Sequence, residues 1–461
     1  IMKDRNWYKD KNILVVGMGR SGVATLEVLH QLGSKVFIQD EKTFDKLSED
    51  VKSQIEGKYE KGYFGEEIQN LEEFDLTVVS PGVPMDNPII QKLDDKDISV
   101  IGELELAYRL ADGKFIGITG TNGKTTTTTL VGEIFKKVKE DVRVAGNIGS
   151  PVIKEVLSGD ENTIYVTEIS SFQLESIDEF RPYVSAILNL TEDHMDRHKT
   201  MSGYGEAKAK ITKNQGDEDY IVVNFDDKNA LGLVKRTRAT MVPFSREGDL
   251  KFGVFVKIND GREEITIKDE DGNAITVCNI DEVKIPGNHN LENALAATAI
   301  AYFGGIGADI IADVLREFDG VEHRLELVDE IDGIKFVNDS KGTNPDAAIK
   351  AIEAIKEPII LIAGGYDKNS KFDTFVESFG DKVKSVLLMG ATATKLKAEV
   401  EKKGYSSVIL KDMETCVKEA YRIAESGYTV LLSPACASWD MYNSFEERGK
   451  DFKNCVRELR K

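Results

Sequence analysis

The sequence predicts an α/β protein of three domains in series, and three observations carry that prediction. At 461 residues the chain is too long for one core, and ordinary domain size gives about three. Short continuous apolar runs alternate with helical patterns along most of it, as in parallel sheets covered on both faces. Two of these runs lead into glycine-rich loops that open helices, where phosphate-binding turns are built.

Residues 13–16 form the first run and lead through glycines into a helical pattern at 23–32. A second strand, 36–38, ends at Asp40, and a third, 76–79, enters Ser80-Pro81-Gly82. The pattern restarts at 115–118 and continues at 164–166, 186–188 and 221–224. Between about 250 and 280 the texture changes. Asn259-Asp260-Gly261 and Asp271-Gly272-Asn273 separate β-rich stretches there, which predicts hairpins in a small antiparallel sheet attached to the second domain. A long helix is expected over 290–302. The third block starts near Gly320 and offers strands at 335–337, 359–362, 386–388 and 430–432.

Composition narrows the function classes. A net charge of −20 repels nucleic acid and anionic membrane surfaces, so neither is an expected partner. The four cysteines (Cys278, Cys416, Cys436, Cys455) show no CxxC spacing, so reduced thiols are expected rather than a zinc site or disulfides. No apolar run approaches the ~20 residues of a spanning helix and no secretory signal is read, so the expected compartment is the cytoplasm.

The most informative stretch is Gly117-Ile118-Thr119-Gly120-Thr121-Asn122-Gly123-Lys124-Thr125-Thr126, between a buried strand and an amphipathic helix. Glycines let the backbone N–H groups curl around a polyphosphate at a helix N-terminus. Lys124 is placed to neutralise phosphate and the Thr125 hydroxyl to ligate Mg²⁺. Ile118 stands where the general loop pattern has glycine, so this is a variant. Nearer the N-terminus, Gly17-Met18-Gly19-Arg20-Ser21-Gly22 follows a strand, and Asp40 falls where a ribose-binding acid would. That geometry suits a dinucleotide, a nucleotide-sugar diphosphate or a structural turn.

Glu168 ends a strand, where a carboxylate beside a phosphate loop can hold Mg²⁺. His194, in Glu192-Asp193-His194-Met195-Asp196-Arg197-His198, is a candidate metal ligand without the second Cys/His cluster that zinc would need. Tyr204, Lys208 and Ile211 share one helical face, where a solvated lysine is the plain alternative.

Taken together the motifs resemble the Mur ligases of peptidoglycan synthesis, most of all the D-glutamate-adding kind. The resemblance spans essentially the whole chain. It rests on the loop 117–126, Ala145-Gly146-Asn147-Ile148-Gly149, the segments 168–174 and 192–197, and Gly287-Asn288-His289-Asn290-Leu291-Glu292-Asn293. Further matches are His323-Arg324, Asn338-Asp339-Ser340-Lys341, Ser433-Pro434-Ala435-Cys436-Ala437-Ser438 and Phe445-Glu446-Glu447-Arg448-Gly449. Asp86-Asn87-Pro88 is followed by Ile89 and lies in the first domain, so it is read as a decoy of the Asp-Asn-Pro-Arg motif of diaminopimelate-adding relatives.

The resemblance implies a Rossmann-like domain over 1–102 for a UDP-linked substrate, a central P-loop ATPase-like domain over 103–320, and a C-terminal Rossmann-like domain over 321–461 for the amino acid. It implies an ATP-dependent ligase that joins D-glutamate to UDP-N-acetylmuramoyl-L-alanine through an acyl phosphate and a tetrahedral intermediate, working as a monomer with ATP and two Mg²⁺. In that pattern Lys124, Glu168, His194 and Lys208 are catalytic. Thr125, Glu168, His194 and a carbamylated Lys208 serve the metals, with Lys210 as the rival register. ATP falls to Gly120, Thr121, Asn122, Gly123, Lys124, Thr125, Thr126, Asn290, Asn293, Arg324 and Asp339. Gly19, Arg20, Ser21, Asp40, Lys42, Ser80, Gly82 and Asn147 would line the UDP-substrate cleft. Lys341, Thr343, Lys368, Ser438 and Phe445 would hold D-glutamate.

Overall fold

The computed structural model describes residues 4–368 and 370–460. Its strands form three sheets, and the chain divides into two compact units. One unit runs to Leu190 and adds Arg197–Ile280 and Asn293–Leu315. The other takes Thr191–Asp196, Asp281–Glu292 and the chain from Arg316 onward.

The first sheet is wholly parallel, in the order Lys61–Phe64, Lys35–Asp40, Asn12–Val16, Leu76–Val79, Val100–Gly102. Ile13, Leu14, Val15 and Val16 are all buried because helices cover both faces, which is why the run reads as continuous rather than alternating. The strand order reverses between Asn12–Val16 and Leu76–Val79. Open α/β sheets bind ligands at the carboxyl ends of strands at such a switch point, and here Gly17 and Ser80 occupy it.

The second sheet has nine strands. Lys114–Thr119 lies between Val184–Ile187 and Ile164–Glu168, Val142–Gly146 forms one edge, and Tyr220–Asn224 and Thr240–Ser245 extend the other side. The expected hairpins are present. Asn259 pairs with Arg262 across Asp260 and Gly261, both at positive φ, the backbone a two-residue hairpin turn needs. The antiparallel strands Gly253–Asn259, Arg262–Lys268 and Ala274–Asn279 do not stand apart from the parallel sheet. They join its edge through Phe244–Val254 and Ser245–Phe255 pairs.

The third sheet runs Glu326–Ile331, Ile334–Asn338, Thr429–Leu432, Ile359–Ala363, Val383–Leu388, Ser407–Ile409, parallel except for the first pair. Among the described residues no helix is long and apolar enough to cross a membrane.

Candidate active site

In the first unit, three strand ends meet at the phosphate loop. Lys114–Thr119 delivers Gly120–Gly123, and the helix Lys124–Lys136 starts from Gly123. Gly123 must be glycine twice over. Its φ is +82°, and a Cβ there would lie 2.2 Å from Asn293 Oδ1. The loop is clasped by Asn189, whose Oδ1 accepts from the backbone N–H of Thr121 (3.1 Å) and Asn122 (2.8 Å) while its Nδ2 donates to Asn122 O. Lys124 folds over the loop, its Nζ donating to the carbonyls of Gly120 and Thr121, both at 2.8 Å. Thr126 is buried with its hydroxyl unpartnered, and Thr127 donates to Asn293 Oδ1 at 3.4 Å.

Glu168 leaves the neighbouring strand with its carboxylate buried. Thr125 Oγ1 donates to Oε2 at 2.7 Å, and Asn147 Nδ2 donates to Oε1 at 2.9 Å. Asn147, expected in the UDP-substrate cleft, thus also steadies the carboxylate beside the loop. Lys208 is buried, its Nζ 2.9 Å from Gly120 O and 4.5 Å from the centroid of Tyr204. Two lysine ammonium groups therefore converge on the Gly120 carbonyl. Lys210 points elsewhere, donating to Glu175 O, and burial draws its pKa below the usual lysine value. Tyr204 Oη lies 3.3 Å from Thr121 Oγ1, and His198 rests between the rings of Phe172 and Tyr204 with Nε2 2.9 Å from Ser171 Oγ.

At the switch point of the first sheet, Gly17 takes φ +88° and Gly19 caps the helix Arg20–Gln31, so Arg20 and Ser21 open it. Asp40 ends the neighbouring strand, Lys35–Asp40. Its two oxygens accept from the N–H of Met18 (2.7 Å) and Lys42 (2.9 Å), bracing the glycine loop. Ser80 Oγ donates to Gly17 O at 2.7 Å, and Gly82 has open space on its Cβ side.

The second unit assembles a separate group. His194 takes φ +55° and lies against Asp193, whose carboxylate also meets Lys368 Nζ (3.7 Å) and Asn344 Nδ2 (3.2 Å). Asn290 is buried and donates to Pro286 O. Arg324 sits between His323 and Leu325, both at positive φ, and its buried Nε finds no partner. Such backbone in residues other than glycine is held only where its surroundings impose it. Asp339 helps to impose it, accepting from Leu325 N and Ser433 Oγ, and burial pushes its carboxyl up to about 6 against the pull of Arg324.

Lys341 Nζ lies 4.9 Å over the Phe445 ring, and Lys368 Nζ 5.8 Å over Trp439. Ser438 is buried, and Thr343 N donates to Lys341 O. Sequence reasoning gave no role to Arg448, yet its buried guanidinium knits these segments together. It donates to Ser340 Oγ, Ser340 O, Cys436 O and Ala437 O between 2.8 and 3.2 Å. Burial lowers its pKa to about 10. Its place in the motif with Phe445 was the available signal.

Comparison with known proteins agrees with this organisation. Profiles for a Mur ligase MurD-like N-terminal domain, a Mur ligase middle domain and a Mur ligase glutamate ligase domain match residues 11–102, 118–301 and 323–436. UDP-N-acetylmuramoylalanine--D-glutamate ligase of Thermoanaerobacter sp. (strain X514) is 50% identical over 458 residues, covering 98% of this chain and 99% of the relative. The protein of that name from Clostridioides difficile (strain 630) is 50% identical over 98% of the chain and 99% of its own length. Among solved structures, UDP-N-acetylmuramate-alanine ligase MurC of Thermotoga maritima superposes with TM-score 0.61 at 18% identity, covering 97% of this chain and all of that one. MurF ligase of Thermotoga maritima in complex with ADP gives 0.60 at 17%, covering 98% and 96%. At that identity the structures speak for the fold, whereas the full-length relatives at half identity speak for the family. This chain belongs to the Mur ligase family.

Proposed function

We propose that this chain joins D-glutamate to UDP-N-acetylmuramoyl-L-alanine at the expense of ATP, releasing ADP and phosphate, in the cytoplasmic synthesis of peptidoglycan precursors. The observation that carries the chemistry is the Thr125–Glu168–Asn147 group, with Thr125 and Glu168 buried, beside two lysines that converge on the phosphate loop. The substrate assignment draws on the names of relatives half identical over the whole length. Its domains are 1–102, 103–320 and 321–461, an assignment supported by one sheet in each, and it works as a monomer.

A carboxylate is a poor electrophile until one of its oxygens becomes part of a leaving group. In this reading a carboxylate oxygen of the L-alanyl end attacks the γ-phosphorus, ADP leaves, and an acyl phosphate forms. The amine of D-glutamate then attacks the acyl carbon. The tetrahedral intermediate collapses with loss of phosphate, which carries away the carboxylate oxygen. The protein positions the reactants and offsets charge on the transferring group. Lys124 moves from the carbonyls of Gly120 and Thr121 to the phosphates. Both are acceptors it can exchange at little cost.

Thr125 Oγ1 and Glu168 Oε2, adjacent hard oxygens, fit Mg²⁺, which would offset phosphate charge, and His194 is the candidate for a second ion. Lys208 is the candidate for carbamylation. Buried against Gly120 O, it would become an acidic oxygen ligand once its nitrogen carried a carboxylate. Asn290, Asn293, Arg324 and Asp339 serve ATP. Lys341, Thr343, Lys368, Ser438 and Phe445 serve the amino acid, whose two carboxylates suit the lysines. The test is phosphate release with UDP-N-acetylmuramoyl-L-alanine and D-glutamate, L-glutamate, L-lysine or no amino acid. Release confined to D-glutamate is expected; release with another amino acid would overturn the assignments around Lys368, and none with any would overturn the ligase reading.

A further inference from the structure

Arg197 has no role in the reading above, yet within the first unit its side chain joins the turn at 81–83 to Glu175 and Phe172. Its Nη1 donates to Gly82 O (3.2 Å), and its Nη2 to Val83 O (3.1 Å) and Pro81 O (3.4 Å). The carboxylate of Glu175 is met by Nε at Oε1 (3.3 Å) and by the shared Nη2 at Oε2 (2.5 Å). The plane lies 4.7 Å over the ring of Phe172, and only 13% of the side chain is exposed. A planar fork suits this task, because it reaches several acceptors at once while stacking on an aromatic face.

The three carbonyls belong to the turn closed by Val83 N donating to Ser80 O at 2.9 Å, and that turn is the wall of the first glycine loop. Ser80 Oγ holds Gly17 O, and a Cβ on Gly17 would meet Val83 Cγ2 at 2.8 Å. Without Arg197 the turn would present its carbonyls to water and lose its fixed distance to Gly17. On the other side, Glu175 and Phe172 sit on the helix Ser171–Glu175, just beyond Glu168. His198, the next residue, reaches the phosphate loop through Tyr204 and Thr121. A contiguous line of packed and bonded groups thus runs from Gly17 to Thr121.

We propose that Arg197 is a positioning residue for the diphosphate-bearing substrate, holding the Ser80–Val83 turn in register with the glycine loop. The proposal rests on the reading that this loop receives the UDP-linked substrate. The experiment is calorimetric binding of UDP-N-acetylmuramoyl-L-alanine and, separately, of a non-hydrolysable ATP analogue to the full chain. Wild type, R197M and R197K are compared, with steady-state kinetics alongside. R197K keeps the charge and its partner Glu175 but cannot reach three carbonyls, so it serves where R197M does not fold. The expected result is UDP-substrate affinity about tenfold weaker in both variants and a KM raised to match. Affinity for the ATP analogue and kcat stay within about twofold of wild type. Unchanged UDP-substrate affinity with a lowered Tm would overturn the proposal and leave a purely structural strut. Wild type that fails to bind the UDP-linked substrate at all would instead overturn the underlying reading.

Discussion

Glu103 offers a quantitative test of how the first unit is built. It follows Gly102 at the end of the first sheet and is 1% exposed. One oxygen accepts from Ile153 N at 2.8 Å, and the other has no partner. Burial raises the carboxyl from the ordinary value near 4.5 to about 7, against the lowering effect of Ile153 N, the Gln173 amide, Arg20 and Val152 N. A raised acid favours the fold while it is protonated. Below pH 4.5 both states hold the proton and there is no penalty. Between 4.5 and 7 the folded state binds more protons than the unfolded one, so stability falls as pH rises. Above 7 the penalty is complete. At about 1.4 kcal/mol per pKa unit it comes to about 3.5 kcal/mol.

Glu103→Gln keeps an acceptor for Ile153 N and cannot ionise. Urea denaturation of the variant from pH 5 to 8 should lose the steep decline of the wild type, the two curves drawing apart by about 2.5 kcal/mol. Curves that stay parallel across that range would refute the argument.

Three further outcomes follow from the site. Gly123→Ala puts an L side chain at φ +82° and a carbon against Asn293 Oδ1. The strain alone costs about 1–2 kcal/mol, and ATP affinity measured by calorimetry should fall with Tm; unaltered binding would show the loop is not held as described. Thr125→Val removes the hydroxyl that Glu168 Oε2 accepts. It should cost the metal-free protein about 1.5–3 kcal/mol in urea and raise the Mg²⁺ concentration needed for phosphate release, and a variant matching wild type in both would count against the pairing. Lys208→Ala should abolish activity and Lys210→Ala should not, with intact-mass spectra under CO₂ showing one added carboxyl group only while Lys208 is present. Modification surviving in K208A would move the assignment.

Much of the fold was legible because central strands are buried on both faces and read as unbroken apolar runs. Most strands that escaped reading lie at sheet edges. Lys61–Phe64 and Val100–Gly102 flank the first sheet, Val142–Gly146 ends the second, and Glu326–Ile331 and Ser407–Ile409 end the third. Edge strands are short and half exposed, so their apolar signal is diluted. Glu326–Ile331 still carried a cue, the Asp332-Gly333 hairpin turn, both residues at positive φ. Thr240–Ser245 is interior and was hidden for another reason, since Pro243 argues against a central strand.

The site divides the same way. The phosphate loop is contiguous and therefore readable. Asn189 clasps that loop from 67 and 68 residues away, and Arg448 reaches Ser340 from 108. No local pattern announces such contacts. Asp40 lay at the position expected of a ribose ligand, and its oxygens also accept from Met18 N and Lys42 N, contacts that only backbone geometry reveals.

The central claim is that ATP activates a carboxylate as an acyl phosphate. It is tested most directly by labelling the L-alanyl carboxylate of the UDP-linked substrate with heavy oxygen and analysing the phosphate released with D-glutamate. The mechanism predicts one labelled oxygen in each phosphate, carried from the carboxylate when the tetrahedral intermediate collapses. Phosphate free of label alongside a formed amide would contradict it.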